Sequence, residues 1–122
     1  MAITHFEIKG ENLEALMRFY SEVFGWRFER APGPDEYWMI QTMPVEELEA
    51  YRTPISGGLT GAESESGIIN FVSVESVDEC CIKIEELGGR ILEPKREVFD
   101  MGWSALAEDP EGNRFAVWQD MT

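Results

Sequence analysis

The sequence predicts an α+β domain in which one unit, a strand, a helix and three strands, is used twice. Three observations carry that prediction. Short runs alternate apolar and polar residues, two longer segments place apolar residues at helical spacing, and the order of these patterns in the first half returns in the second. A chain of 122 residues can bury one worthwhile core, whereas either half alone would be marginal. The repeats are therefore read as modules of a single domain, 1–122, with module one at about 1–62 and module two at about 65–122.

Residues 2–8, AITHFEI, alternate as a half-buried strand. Residues 12–24 then bring Leu13, Leu16, Met17, Tyr20 and Phe24 to one helical face, and Gly25 stands where a left-handed residue commonly ends a helix. WRFER, EYWMIQT and SGGLTG supply the next three strands. In EYWMIQT, alternation lets either Tyr37, Met39 and Gln41 or Trp38 and Ile40 face inward, and both registers stay open. MPVEELEAYRTPI is the longest irregular stretch, a solvated surface loop or a lid.

The order restarts after GAESESG. IINFVSV reads as a strand, and SVDECCIKIEEL as a helix carrying Val77, Cys80, Cys81, Ile84 and Leu87, with Ser76 and Glu79 at capping-box spacing. Gly88, Gly89 and RILEP follow, then WSALA and NRFAVWQ. Between these last two, DPEGN places a proline that presets φ and a glycine that relieves the bend, which predicts a hairpin of Trp103–Ala107 with Arg114–Gln119. In the closing strand Ala116 and Trp118 share one face, and Phe115 and Val117 the other.

The net charge of -14 repels phosphate backbones and anionic lipid, so neither a nucleic acid nor a membrane is an expected partner. No basic segment followed by an apolar run opens the chain, and no stretch of eighteen apolar residues occurs, so a soluble, cytoplasmic protein is expected. Cys80 and Cys81 are adjacent in a helical pattern, where their side chains diverge, and are read as reduced thiols. With a single histidine and no glycine-flanked serine, no Ser-His-Asp arrangement is available.

HFEI, FYSEVFGW, GGL, ELGGRI and the closing DPEGNRFAVWQ together resemble the vicinal oxygen chelate superfamily, which includes glyoxalase I, bleomycin- and fosfomycin-resistance proteins and extradiol dioxygenases. The resemblance implies two βαβββ modules whose sheets curl into an open cup, helices outside and a ligand cavity inside, and a homodimer. In metal-using members the ligands come from the first and fourth strands of each module. His5 matches a ligand histidine, Asn70 takes the equivalent place in module two, Ala116 falls where a ligating glutamate would stand, and the fourth position falls near Leu59 or Thr60. One good donor of four remains, and zinc, nickel or iron sites need three or four.

Glu7 lies two residues after His5 and so on the same face, as a second ligand, a general base or a partner for the imidazole. His5 reads equally as a ligand-binding group and as a strand histidine that satisfies a neighbour. Trp118 is expected to point into the cup, with Trp103 and Arg96 at its rim. The candidate ligand-binding set is therefore His5, Glu7, Asn70, Trp103 and Trp118, with His5 as the sole metal candidate. The expected function is glyoxalase- or bleomycin-resistance-like binding of a small apolar or aromatic molecule without a cofactor. The alternative is a divalent-metal lyase, isomerase or dioxygenase that uses His5 and Glu7.

Overall fold

The alternation at the amino terminus becomes β1 (Ile3–Gly10) in the computed structural model, which describes residues 1–43, 55–61 and 67–121. α1 (Leu13–Phe24), β2 (Arg27–Arg30), β3 (Tyr37–Gln41) and β4 (Ser56–Gly61) follow, and then β5 (Gly67–Ser73), α2 (Val77–Glu86), β6 (Arg90–Val98), β7 (Gly102–Glu108) and β8 (Arg114–Asp120). The order strand, helix, three strands thus occurs twice, and the fold class is α+β as the sequence predicts. Most of the irregular stretch, 44–54, lies outside the described residues. The chain divides into two compact units, His5–Ile68 and Ile69–Thr122 with Met1–Thr4.

In the first unit the strands run β2-β3-β4-β1, with β1 parallel to β4 and the other pairs antiparallel. Ile8, Ile40 and Leu59 are buried with Leu13, and Phe6, Leu16, Met17, Tyr20 and Trp38 pack around them, so one face of this half-sheet is sealed by α1. The Asn12 side chain accepts from Ala15 N–H at 3.0 Å and caps the helix start. At its end Gly25 takes φ 75°, and its N–H donates to Ser21 O at 2.8 Å. Phe24, on the same helical face, is 59% exposed and lies at the edge of an aromatic cluster, its ring 5.4 Å from that of Trp26, which stacks on Tyr20 at 5.1 Å.

The second unit orders its strands β5-β8-β7-β6, again with one parallel pair, β5 with β8. Val74, Val77, Ala105 and Val117 form its core under α2, joined by Val72, Cys80, Cys81, Ile84, Trp103 and Phe115. Both cysteines are free thiols, and burial pushes each above the ordinary thiol value. Ser76 caps α2 by accepting from Glu79 N–H at 3.1 Å. The Val77 N–H is taken by the Gln119 side chain at 2.8 Å, a tie from β8 to the helix start. Leu87, the last of the expected helix-face residues, lies past the end of α2 and is exposed.

The hairpin forms as read, with Trp103 opposite Gln119 and Ala107 opposite Phe115. Its turn closes on Asp109, whose Oδ1 accepts from the Glu111 and Asn113 N–H groups and whose Oδ2 accepts from Asn113 Nδ2, all at 2.9 Å. These bonds hold the Asp109 carboxyl below its ordinary value. β6 runs further than RILEP suggests, through Pro94, because irregularities between Ile91 and Arg96 absorb the missing N–H.

Candidate functional site

The face of the first unit opposite α1 is set by parity. Phe6 and Ile8 pack towards the helix, so His5 and Glu7 point the other way. Along the sheet, Glu7 stands opposite Gly58 and Gly58 opposite Met39, while Tyr37 stands opposite Thr60. Tyr37 belongs to β3, one strand beyond β4, and reaches the histidine and the glutamate by lying across Gly58. A methyl group at Gly58 would collide with the Tyr37 ring and hydroxyl, so the absence of a Cβ there is what opens the path.

The Tyr37 hydroxyl donates to Glu7 Oε2 at 3.0 Å and lies 3.0 Å from His5 Nε2. A phenol has one proton to give; with it directed to the carboxylate, the histidine is assigned as the Nε2–H tautomer donating to the phenol oxygen. The three groups form a chain, His5 to Tyr37 to Glu7. Burial, then the Glu7 charge, then the hydrogen bond to Glu7, raise Tyr37 well above the ordinary phenol value. Burial lowers His5, against the opposing pull of Glu7. The arrangement therefore favours a neutral imidazole and a neutral phenol beside a carboxylate, a set able to donate to and accept from one polar group of a bound molecule.

This geometry decides the β3 register: Tyr37, Met39 and Gln41 share the His5 face, and Trp38 and Ile40 face α1. Tyr37 is the residue missing from the candidate set read from the sequence. The available signal was the glycine opposite Glu7, which leaves room for a long side chain from the next strand.

In the second unit two expectations are corrected. α1 starts at Leu13 and α2 at Val77, an offset of 64 that also separates Gly25 from Gly89, so the counterpart of His5 is Ile69 and not Asn70. Phe71 pairs with Ala116 and Val72 with Val117; since Val72 packs under α2, Asn70 stands on the helix face and Ile69 with Phe71 on the opposite one. Trp103 likewise packs with the α2 core and lies under Lys95 Nζ, 5.1 Å from its ring centroid, rather than on the Ala116 face. Trp118 does share the face of Ala116, and its Nε1 donates to Asp120 Oδ1 at 2.7 Å. Leu59 is fully buried in the first core, and Thr60 donates to Glu36 O at 3.4 Å.

These residues do not fit a metal. Of the first- and fourth-strand positions, only His5 and Glu7 carry strong donors, and Tyr37 bonds both; Gly58, Ile69, Phe71 and Ala116 offer none. Among the described residues no group of three His, Cys, Asp or Glu side chains is placed to hold an ion. No helix among them is long and apolar enough to cross a membrane.

A family model described as Glyoxalase/Bleomycin resistance protein/Dioxygenase superfamily matches residues 2–117. A search of curated proteins gives no match. Among solved structures, a glyoxalase/bleomycin resistance protein/dioxygenase superfamily member from Vibrio splendidus 12B01 is similar at 13% identity and a TM-score of 0.66, covering 94% of this chain and 96% of that one. Methylmalonyl-CoA epimerase from Mycobacterium tuberculosis is similar at 12% identity and a TM-score of 0.65, over 97% of this chain and 87% of that one. A protein from Legionella pneumophila described as NAD-dependent benzaldehyde dehydrogenase reaches 18% identity and a TM-score of 0.64, over 96% and 98%. Descriptions this different on one fold mean that the likeness speaks for the fold and leaves the chemistry to the site.

Proposed function

Since the chain belongs to the Glyoxalase/Bleomycin resistance protein/Dioxygenase superfamily, we propose that it binds a small apolar or aromatic organic molecule, without a resident metal, through His5, Tyr37 and Glu7. The observation that supports this reading is the hydrogen-bonded chain itself, in which the two residues able to ligate a metal are engaged by a phenol. Met39, 44% exposed on the same face, offers apolar surface beside the polar anchors. The superfamily resemblance further suggests a homodimer, which sedimentation would register as twice the 13.9 kDa chain mass, and a cytoplasmic protein.

The test has two arms. The tag-free protein is exposed to zinc, nickel, manganese and iron(II), dialysed exhaustively and analysed for metal, with His5→Ala as control; the expected result is no stoichiometric metal. A library of small aromatic and aliphatic compounds is then screened by thermal shift. A specific ligand at a hundredfold excess over its Kd stabilises by about 2.7 kcal/mol, and Tyr37→Phe should reduce that shift by most of its size. Stoichiometric metal lost in the His5 variant, or a screen without a single Tyr37-dependent ligand, overturns the reading.

A further inference from the structure

The second unit carries a second set of polar and aromatic groups, on the face turned away from α2. Arg96 stands opposite Ser104 across β6 and β7, and Ser104 opposite Trp118 across β7 and β8. Opposite residues of antiparallel strands point to the same side with their Cβ atoms about 5 Å apart, so the three side chains form one row roughly 10 Å long. The chain neighbours fix which side that is. Lys95 and Trp103 meet on the α2 side, and Val117 is buried there, so the row looks the other way.

Each member of the row has a feature that packing alone does not use. Ser104 is the one buried polar residue among the described residues, 7% exposed, and its hydroxyl has no hydrogen-bond partner among them. Among the described residues no side-chain polar atom sealed from solvent lacks a partner, so that hydroxyl opens onto the face. Arg96 is exposed and forms no ion pair among the described residues, in a chain with 24 acidic side chains against 10 basic ones. The Trp118 ring lies against Gly102, where a Cβ would come within 2.6 Å of Cζ2, and its bond to Asp120 fixes the ring's orientation.

A guanidinium with an adjacent free hydroxyl suits a carboxylate, which accepts paired bonds from the arginine fork and one more from the serine. A fixed indole at the other end of the row suits a flat ring. Glu93 and Asp120 share this face, so the surrounding field tolerates a single negative charge in contact with Arg96 better than several. We propose that the Arg96, Ser104 and Trp118 row binds an aromatic monocarboxylic acid, the carboxylate on Arg96 and Ser104 and the ring on Trp118. This goes beyond the reading above: it concerns the second unit alone and does not require the His5 chain to bind anything.

The test is an NMR titration of the full chain with 1-naphthoate, beside the neutral 1-naphthamide. The expected result is saturable shifts at the Ser104 amide and the Trp118 indole N–H, affinity at least tenfold lower for the amide, and at least a tenfold loss in Arg96→Gln. Ser104→Ala should lose several-fold, and Arg96→Lys, which keeps the charge but not the fork, should fall between wild type and Arg96→Gln. Equal binding of acid and amide, undiminished binding by Arg96→Gln, or shifts confined to His5, Glu7 and Tyr37 would overturn the proposal. The last of these would leave the first-unit reading standing. Shifts at Ser104 and Trp118 that persist in Tyr37→Phe would support the row whatever becomes of that reading.

Discussion

Tyr37 is a residue on which both structure and chemistry turn, and its burial makes it testable by pH alone. Its folded value is raised above the ordinary 10.0, first by desolvation and then by Glu7, so its contribution to stability is complete below pH 10 and is lost as pH rises above it, where only the unfolded phenol ionises. Urea midpoints measured from pH 8 to 11 should therefore fall more steeply for wild type than for Tyr37→Phe. The difference should stay below the one-proton limit of about 1.4 kcal/mol per pH unit, since the ring is not wholly buried. Gly58→Ala, which pushes the ring aside, should flatten the same slope, whereas Gly61→Ala, whose Cβ would meet no described residue within 4 Å, should not. Equal slopes in wild type and Tyr37→Phe would show that the phenol ionises as freely in the fold as outside it. His5 has the opposite sense. Its lowered value costs stability as pH falls below 6.5, and His5→Gln should remove that acid-side loss.

At the scale of the elements, the strands and helices of the described residues are legible because alternation, helical spacing and caps are local. Faces are less so. A slip of one residue exchanges the two faces of a strand, and here it separates Asn70, which the sequence offers as the counterpart of His5, from Ile69, to which the offset of the helices points. The face of Trp103 is hidden for a related reason: in WSALA both faces carry small or apolar residues, so nothing local tells the α2 side from the other. The same ambiguity holds for β3, since Tyr37 and Trp38 are both aromatic, and a contact made across an intervening strand has no sequence signal beyond the glycine beneath it. Gln119 is a further long-range tie that sequence could not show, as it caps a helix that begins 42 residues earlier. Ser76→Ala should cost about 1 kcal/mol and Gln119→Ala a similar amount, each leaving one N–H of the first turn of α2 without its acceptor. The double variant should lose less than the sum if water or fraying of α2 serves both groups once one cap is gone. Guanidinium unfolding of the four proteins measures that coupling, and strict additivity would show two independent caps.

For the molecule as a whole, charge is the term most exposed to experiment. A net charge of -14 opposes compaction by self-repulsion, and that repulsion reaches across the chain at low salt, where the screening length is roughly 30 Å at 0.01 M, but not at 0.1 M, where it is roughly 10 Å. Ion pairs among the described residues work against it: Arg18 with Glu22 at 3.3 Å, Arg90 with Glu108 at 2.9 Å and Lys95 with Asp78 at 2.9 Å. Each has at least one well-exposed partner, and such pairs contribute about 0–1 kcal/mol, part of which salt also removes. The two effects of salt have opposite signs, and an excess of 14 acidic side chains over basic ones makes the relief of repulsion the larger. Thermal unfolding at pH 8, where His5 no longer titrates, should therefore shift upward between 0.01 and 0.2 M sodium chloride. A gain of roughly 1 kcal/mol, or about 4 °C for a chain of this size, is the expected scale. Potassium chloride should do the same, because screening depends on ionic strength and not on the cation. A melting temperature that fell with salt would mean that the ion pairs outweigh the repulsion, and a rise with one cation alone would mean specific binding to the acidic surface instead of screening.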